Sequence, residues 1–260
     1  MIPEISTILK NVLQMKKSIK KLLIIFVYIY NLLSTYYEKF FLKIKKNSLV
    51  SYNSDLLNKG YEILKLKDFI KIDYPTDIIQ KNKYLQKIIF KDENLKKMIK
   101  NIFINNEICD AITNKTGYKY SIDYFTAYIT SHISLSDSDK GWYANHWHTD
   151  KPFSQNMIKV IVPLHDINCE HGPMEILLDN KNKIQCLLKK DEVLVFFPNK
   201  CLHRAGNPDY NFERKLMMFQ LNPSKEWVVN QNIFVRQGLA EPKFPAINYF
   251  GNRKVQLKTT

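Results

Sequence analysis

The sequence is poor in the residues that fibrous, linker-rich and disulfide-stapled proteins need. Its 260 residues include only 7 glycines, 10 prolines and 4 cysteines. So little glycine and proline excludes a collagen-like or linker-rich chain. The cysteines form no C-x-x-C pair, which disfavours a zinc site and predicts reduced thiols, as is usual in the cytosol. Cys201 lies two residues before His203, and we expect it to be a small buried residue.

Acidic residues are also scarce relative to basic ones, and the imbalance is concentrated near the N-terminus. The chain has 39 basic and 25 acidic residues, a formal net charge of +14, and residues 1–46 hold nine lysines against two glutamates. A basic patch can bind nucleic acid or an anionic membrane, although a generally lysine-rich composition is the simpler interpretation elsewhere. Nucleic acid is disfavoured, because these lysines alternate with aliphatic residues and not with the aromatic residues of a base-binding pocket.

No apolar run reaches the roughly 20 residues that a membrane-spanning helix needs. The longest, residues 22–33, reads LLIIFVYIYNLL. Three alternatives remain for it: a helix packed on the folded domain or on a partner, a helix lying on a membrane surface, and a span or signal peptide. The second alternative predicts peripheral membrane contact through residues 16–46, with lysines on lipid phosphates. We expect a cytoplasmic protein, with membrane association as the alternative.

The chain divides into a basic, apolar helical extension over residues 1–50 and a folded domain over residues 51–260. Residues 60–70 alternate apolar and polar side chains, which predicts an early strand. Apolar spacing over residues 78–104 predicts one or two helices. A further helix over residues 107–113 is expected to stop at Asn-Lys-Thr-Gly, residues 114–117.

After this stop signal the chain is rich in strand-forming residues. Strands are predicted over residues 120–133, 157–164, 193–197 and 215–221. Several short strands at close spacing are typical of a β-sandwich or barrel. The prediction is a mainly β fold with flanking helices and a double-stranded β-helix (jelly-roll, cupin-like) core.

One set of polar residues suggests chemistry. His148 and Asp150 are two residues apart, His203 follows a later strand, and Arg214 lies eleven residues beyond it. Two imidazoles and a carboxylate can cap one face of Fe(II) and leave three positions for a co-substrate and O2. Arginine can hold the far carboxylate of a dicarboxylate such as 2-oxoglutarate. The alternative is two ordinary hydrogen-bonded histidines and a surface ion pair.

Residues 55–228 resemble the phytanoyl-CoA dioxygenase family of Fe(II)- and 2-oxoglutarate-dependent oxygenases. The matching stretches are GYEILKLKDFI (60–70), HWHTD (146–150), PLHDINCEHGPME (163–175), DEVLVFF (191–197), HRAGNP (203–208) and ERKLMMFQL (213–221). The resemblance implies a double-stranded β-helix core. It also implies that His148, Asp150 and His203 bind iron and act in catalysis, that Arg214 binds 2-oxoglutarate, and that O2 is consumed.

The sequence departs from the family pattern in three respects, one of which is that the proline-glycine-serine-histidine segment usual after the family's N-G-P-L turn is missing after residues 171–174. Only 55 residues separate His148 from His203, so a loop near the mouth of the site is expected to be trimmed. Many members carry serine two residues after the second histidine, where this chain has Ala205. Arg214 is then expected to share the co-substrate with another donor, and the candidates are Tyr128, Thr130 and Lys159.

These observations predict a dioxygenase that hydroxylates a small or lipid-like substrate and releases succinate and CO2. His146 is expected to face the substrate or support a ligand, with a structural role as the alternative. His132, His165 and His171 match no ligand spacing and are expected to be structural or exposed. The alternative function is a catalytically inactive β-helix domain that binds a membrane or a partner through its basic N-terminal helix.

Overall fold

The computed structural model describes residues 29, 33, 35–43, 54–67, 76–134, 137, 143–150, 154–178 and 182–229. The strands are β1 (Tyr61–Lys65), β2 (Thr76–Asn82), β3 (Leu85–Phe90), β4 (Lys119–Ser131), β5 (Ile158–Pro163), β6 (Met174–Leu178), β7 (Asn182–Cys186), β8 (Glu192–Phe196), β9 (Leu202–Ala205) and β10 (Glu213–Ser224). The α-helices are α1 (Asp55–Lys59), α2 (Asp92–Lys100) and α3 (Ile108–Thr116), with π-helical turns at Glu38–Leu42 and Asn101–Asn105 and 3-10 turns at Tyr143–Asn145 and Cys169–His171.

The strands form two antiparallel sheets. The large sheet has seven strands in the order β1-β8-β5-β10-β4-β3-β2, and the small sheet has the order β7-β6-β9. The long strand β10 lies between β4 and β5, so it forms the middle of the large sheet. A large and a small antiparallel sheet joined by alternating crossovers form a jelly roll. The predicted mainly β, jelly-roll fold with flanking helices is therefore confirmed.

Two apolar clusters pack on opposite faces of the large sheet. On β10, Met217 and Phe219 belong to the cluster that also contains the helices, whereas Leu216 belongs to the cluster shared with Ile176 of the small sheet. This division follows from the strand geometry, in which successive side chains point to opposite faces. We call the side of the large sheet that faces the small sheet the inner face.

The helices predicted over residues 78–104 are only partly correct. Residues 76–90 form the β2–β3 hairpin, in which Ile78 pairs with Ile88. Helix begins at Asp92, continues through α2 and ends in the π-helical turn at residues 101–105. The β-branched isoleucines of this hairpin favour a paired, half-buried strand over a helix. The lysines between these isoleucines produced a polar and apolar spacing that resembles that of a helix.

The predicted stop at residues 114–117 is confirmed. Helix α3 ends at Thr116, and Gly117 follows with φ of 74° in the left-handed region that terminates many helices.

Most of the N-terminal extension predicted over residues 1–50 lies outside the described residues. Within it, residues 29, 33 and 35–37 are α-helical and lead into the π-helical turn at Glu38–Leu42. Leu42 joins the apolar cluster on the helix side of the large sheet. No helix among the described residues has the length and apolar character required to cross a membrane.

Candidate metal centre

His148, Asp150 and His203 converge at one end of the space between the sheets. One potential ligand atom from each lies within 4.8 Å of the others. Among the described residues, no other group of three histidine, cysteine, aspartate or glutamate side chains converges in this way. Side chains that converge in this way could hold a single metal ion between them. The triad predicted from the sequence is therefore brought together by the fold, and its role as a ligand set stays a prediction.

The main chain fixes the positions of all three residues. The His148 N–H donates to the His203 carbonyl at 3.0 Å, and the His203 N–H donates back to the His148 carbonyl at 2.9 Å. The Asp150 N–H donates to the Pro198 carbonyl at 2.8 Å. These bonds attach the irregular 146–150 segment to β9 and to the turn before it, so the ligands do not depend on loop packing alone.

Hydrogen bonds also fix which nitrogen of each imidazole is available. Nδ1 of His148 lies 2.7 Å from the His146 carbonyl, and Nδ1 of His203 lies 2.9 Å from the Cys201 carbonyl. A carbonyl oxygen can only accept, so both Nδ1 atoms carry the proton and both Nε2 atoms present a lone pair. Burial, reinforced by the charge of Lys159, lowers the pKa of His203 to about 4. His203 is therefore neutral at pH 7, as a metal ligand must be.

The two oxygens of Asp150 have different surroundings. Oδ2 lies 2.5 Å from Lys159 Nζ, whereas Oδ1 lies 3.7 Å from His148 Nε2. Lys159 extends from the inner face of β5, where it pairs in register with Gln220 of β10. This ion pair orients the carboxylate and leaves Oδ1 directed at the histidines. Lys159 therefore contacts the triad, six residues along β10 from the position of Arg214.

Arg214 is a buried cation at the start of β10, with only 1% of its surface exposed. Its Nη1 donates to the carbonyls of Gly172 and Gly206, the latter at 2.9 Å, and its Nη2 lies 3.4 Å from Thr130 Oγ1. Its Nε has no hydrogen-bond partner. Among the described residues no carboxylate forms an ion pair with Arg214. A buried charge of this kind is costly unless an anion accompanies it.

The Gly172 and Gly206 carbonyls can both reach Arg214 because the backbones of these two glycines lie in close contact. A Cβ on Gly206 would lie 2.4 Å from the Pro173 carbonyl oxygen, and a Cβ on Gly172 would lie 2.4 Å from the Asn207 carbonyl carbon. Any side chain at either position would push the two turns apart. The glycines of the His-Gly-Pro and Ala-Gly-Asn-Pro motifs are therefore needed for the close approach that holds the guanidinium.

The strand next to Arg214 carries two of the other predicted residues. Tyr128 and Thr130 both face inward from β4, and Thr130 contacts Arg214 directly. Burial raises the pKa of Tyr128, although the nearby Arg214 opposes this. The fold thus brings Tyr128 and Thr130 close to Arg214, whereas it brings Lys159 close to Asp150.

Sequence reasoning missed Lys87, which faces inward from β3 opposite Tyr128. Its Nζ donates to Thr126 Oγ1 at 2.6 Å and lies 5.3 Å from the centre of the Tyr128 ring. Burial lowers the pKa of Lys87 to about 8. No described carboxylate pairs with it, so the inner face holds a second buried cation. The only sequence signal for Lys87 was that it lies two residues after Leu85, on the same face of a strand. The prediction of helices over residues 78–104 hid this signal.

The side chain of His146 is exposed, and its contribution to the site comes from its carbonyl. On the opposite side of β9 from His203, Arg204 pairs with buried Glu175 at 2.6 Å and stacks 4.7 Å from the centre of the Trp147 ring. This contact anchors the residue that precedes His148. Cys201 is buried, as expected from the sequence.

One well-formed cleft in the described structure does not contain the triad. Its volume is about 720 Å³, and it lies at the opposite end of β5. His132, His165 and His171 line it, together with Ser131 and Glu213, which flank Thr130 and Arg214 in sequence. The three histidines that matched no ligand spacing therefore share a surface, but they do not converge on a point.

No protein-family profile and no curated protein sequence matches this chain. Solved structures are similar in fold. An oxidoreductase of the 2OG-Fe(II) oxygenase family from Burkholderia pseudomallei aligns over 72% of this chain and 96% of its own, with 10% identity and a TM-score of 0.46. HygX from Streptomyces hygroscopicus, solved with nickel, 2-oxoglutarate and hygromycin B, aligns over 63% of this chain and 83% of its own, with 9% identity and a TM-score of 0.42.

The non-heme alpha ketoglutarate dependent epimerase SnoN from nogalamycin biosynthesis aligns over 57% of this chain, with 12% identity and a TM-score of 0.41. The aligned region spans 66% of SnoN and 49% of the non-heme monooxygenase ThoJ. At such identities these similarities concern the fold. The function proposed below depends on the site.

Proposed function

We propose that this protein is an Fe(II)- and 2-oxoglutarate-dependent dioxygenase that hydroxylates a small or lipid-like substrate. The observation that carries the proposal is the pairing of two features on one inner surface. One is the His148, Asp150 and His203 triad, whose ligand atoms lie within 4.8 Å of one another. The other is Arg214, a buried cation without a carboxylate partner among the described residues.

The donor set fits Fe(II). The Nδ1 atoms of both histidines donate to carbonyls, which leaves Nε2 as the ligand atom of each, and His148 Nε2 lies 3.7 Å from Asp150 Oδ1. With Fe(II) bound, one carboxylate and two neutral imidazoles would leave a net positive site, which can accept an anionic chelating co-substrate. When bound, iron with 2-oxoglutarate couples O2 reduction to oxidative decarboxylation, so that R–H, 2-oxoglutarate and O2 become R–OH, succinate and CO2.

Arg214 fits the far carboxylate of the co-substrate. Its anchor Gly206 lies three residues beyond His203, which is roughly 10 Å of extended chain. That length is comparable with a metal ion and a five-carbon dicarboxylate placed end to end. An incoming carboxylate would supply the missing countercharge and an acceptor for the unpaired Nε. Thr130 and Tyr128 line the same position.

The other residues position the reacting groups. Lys159 holds Oδ2 of Asp150 so that Oδ1 faces the histidines, in the manner of supporting residues that orient metal ligands. Phe196 packs edge-on against the His203 ring at 5.0 Å and keeps water from that side. Ile161 and Leu216 pack beside Phe196 in the apolar cluster on the inner face.

We further propose that the protein is a phytanoyl-CoA dioxygenase-like member of this enzyme class. The supporting features are the six motif stretches, the eleven-residue spacing from His203 to Arg214 and the close contact between the Gly172 and Gly206 turns. Ala205 and the short interval between the histidines are two of the departures. They suggest a more open mouth and a looser grip on the co-substrate.

Anaerobic spectroscopy on the full chain tests the proposal. Fe(II) and then 2-oxoglutarate are added, and the visible charge-transfer band of iron chelated by a 2-oxo acid is recorded. The wild type should develop the band, His203→Ala should not, and Arg214→Met should need a much higher co-substrate concentration. His146→Ala is the matched control, because it keeps the carbonyl that holds His148 and should behave as the wild type.

The outcomes separate the alternatives. A band with the expected variant pattern supports the proposal and justifies a substrate screen by succinate release. The absence of a band in folded protein would overturn it and would favour a non-catalytic binding module. Folding is checked independently by circular dichroism.

A further inference from the structure

The helical segment that ends in the π-helical turn at Glu38–Leu42 buries an acidic side chain and exposes apolar ones. Glu38 is fully buried, and its Oε2 accepts a hydrogen bond from Asn156 Nδ2 at 2.7 Å. Leu42, one turn later, is buried in the helix-side core. Tyr37 packs, partly buried, against the same core, so the segment is attached to the domain by Tyr37, Glu38 and Leu42. Most of the other apolar side chains described in this segment point the other way.

The outward side carries a continuous apolar row, which we call the exposed stripe. Its members are Ile29, Leu33, Tyr36, Phe40 and Phe41, which are 46%, 62%, 53%, 65% and 72% exposed. The first four follow one another at intervals of four, three and four residues, the spacing of a single helix face. Tyr36 and Phe40 stack with ring centroids 6.3 Å apart. Contiguous apolar surface of this kind marks an interaction site.

The charge around the exposed stripe identifies what covers it. Lys39 is exposed within the same turn as Phe40. Residues 1–46 contain nine lysines and only two glutamates, and one of these, Glu38, is turned inward. Aromatic and aliphatic side chains flanked by lysines suit the boundary between lipid headgroups and acyl chains. A second copy of this chain would instead bring like charges together.

We propose that the exposed stripe is a docking surface for an anionic phospholipid membrane, on which the protein lies without crossing it. Tyr36 and Phe40 insert at headgroup depth, and the lysines pair with lipid phosphates. Because Glu38 accepts a hydrogen bond from Asn156, the docked segment is connected to the turn that precedes β5.

Vesicle sedimentation with the full chain tests this surface. One set of vesicles is phosphatidylcholine and the other is phosphatidylcholine mixed with phosphatidylserine. We expect binding to the mixed vesicles only. Salt should weaken this binding, because the Debye screening length falls from ~10 Å at 0.1 M to ~3 Å at 1 M ionic strength. Phe40→Ser and Leu33→Ser should each lower the partition coefficient at least about fivefold, since each removes buried apolar area.

Two matched controls isolate the surface. Ile78→Ser removes an apolar side chain that is 57% exposed on β2, and it should not change binding. Lys39→Glu should weaken binding, whereas Lys96→Glu, an exposed lysine on α2, should have a much smaller effect. The stripe residues are solvent-exposed, so the variants should keep the wild-type melting temperature.

Three outcomes would overturn the proposal. One is equal or absent binding to both kinds of vesicle. Another is self-association that Phe40→Ser abolishes without any vesicle binding, which would make the stripe an interface between copies of this chain. The third is salt-sensitive binding to an oligonucleotide in preference to vesicles. None of these outcomes depends on iron or 2-oxoglutarate, so they are independent of the proposed activity.

Discussion

His148 and His203 hold each other through two backbone hydrogen bonds, although 55 residues separate them in the chain. Each N–H donates to the other carbonyl, at 3.0 and 2.9 Å. The side chains of both histidines therefore project from an already fixed bridge, with ring centroids 4.4 Å apart. Most of the entropy of bringing two candidate metal ligands together is thus lost when the protein folds, and little would remain to be lost if a metal binds.

The first prediction is that metal binds a preformed site. Titration with Co(II) or Ni(II), as redox-stable substitutes for Fe(II), should raise the melting temperature through preferential binding to the folded state. The far-UV circular dichroism should hardly change. His148→Ala and His203→Ala should lose most of the thermal shift, because each removes one of three ligands. Calorimetry would measure the affinities.

His146→Ala serves as the control for this prediction. Its side chain is exposed, and the carbonyl that fixes the His148 tautomer is part of the main chain. It should therefore keep the wild-type affinity. Equal loss in His146→Ala and His203→Ala would show that the metal binds elsewhere along the segment.

The second prediction concerns the turns that hold Arg214. Gly206→Ala places a methyl group 2.4 Å from the Pro173 carbonyl oxygen and forces the two turns apart. The expected cost is about 1–3 kcal/mol of unfolding free energy, as for other overpacked sites. The Gly206 carbonyl should also move away from Arg214, so the affinity for 2-oxoglutarate should fall. Chemical unfolding and a co-substrate titration measure the two effects.

Gly117→Ala is the matched control. Gly117 has φ of 74°, and a Cβ there would make only ordinary van der Waals contacts with Lys43 side-chain carbons at 3.5 and 3.7 Å. Alanine should therefore cost about 1–2 kcal/mol through conformation alone. Its affinity for 2-oxoglutarate should equal that of the wild type. If both variants lost affinity equally, the contact between the glycine turns would have no special role in holding Arg214.

The strands were predicted correctly where the pattern of apolar residues along the sequence matched the burial of those residues in the fold. The runs over residues 157–164 and 193–197 predicted β5 and β8 because strands buried on both faces read as nearly continuous apolar sequence. The hairpin over residues 76–90 was missed for the opposite reason. It lies at the edge of the large sheet, and its exposed lysines and isoleucines imitate an amphipathic helix.

The site shows the same contrast. His148 and Asp150 were found because their spacing is local and strand ends direct such residues to one side. The contact between Gly172 and Gly206 and the position of Lys87 depend on pairing between distant strands, which no single stretch of sequence specifies. Register also explains why Lys159 lies with Asp150 and not with Arg214, since it pairs with Gln220 at the far part of β10.

The third prediction tests Ala205. Ala205 lies on β9 and pairs with Met174 of β6. Because successive side chains of a strand point to opposite faces, Ala205 lies on the same face as His203 and opposite to Arg204. A hydroxyl there would point toward the proposed co-substrate position. Ala205→Ser should tighten 2-oxoglutarate binding by a few fold, in line with the ~0.5–1.5 kcal/mol of an added hydrogen bond. Ala111→Ser, a partly buried position on α3, should leave the affinity unchanged, and a similar gain there would contradict the assignment.

The last prediction follows from the buried charge of Lys87. Burial lowers its pKa from 10.5 to about 8, with no carboxylate partner among the described residues to oppose this. Below pH 8 both the folded and the unfolded chain hold the proton, and the folded state bears the full cost of the buried charge. Between pH 8 and 10.5 the folded chain has released a proton that the unfolded chain still holds. Stability contributed by this site therefore rises with pH across that window.

Lys87→Met should remove this dependence. The variant should be more stable than the wild type near pH 7, and the difference should shrink toward zero as the pH rises from 8 to 10.5. Other groups titrate in the same range with the opposite sign. Burial raises the pKa of Cys109 and of Tyr118 to about 12, so these groups make the folded state lose stability as the pH rises. They contribute equally to both proteins, so the difference in unfolding free energy between variant and wild type isolates Lys87.

Urea unfolding at several pH values between 8 and 10.5 measures this difference. The exposed Lys96→Met is the control, and its difference in unfolding free energy from the wild type should not change with pH. A constant difference for Lys87→Met would mean that Lys87 keeps its proton throughout, and that an anion accompanies it in the folded protein.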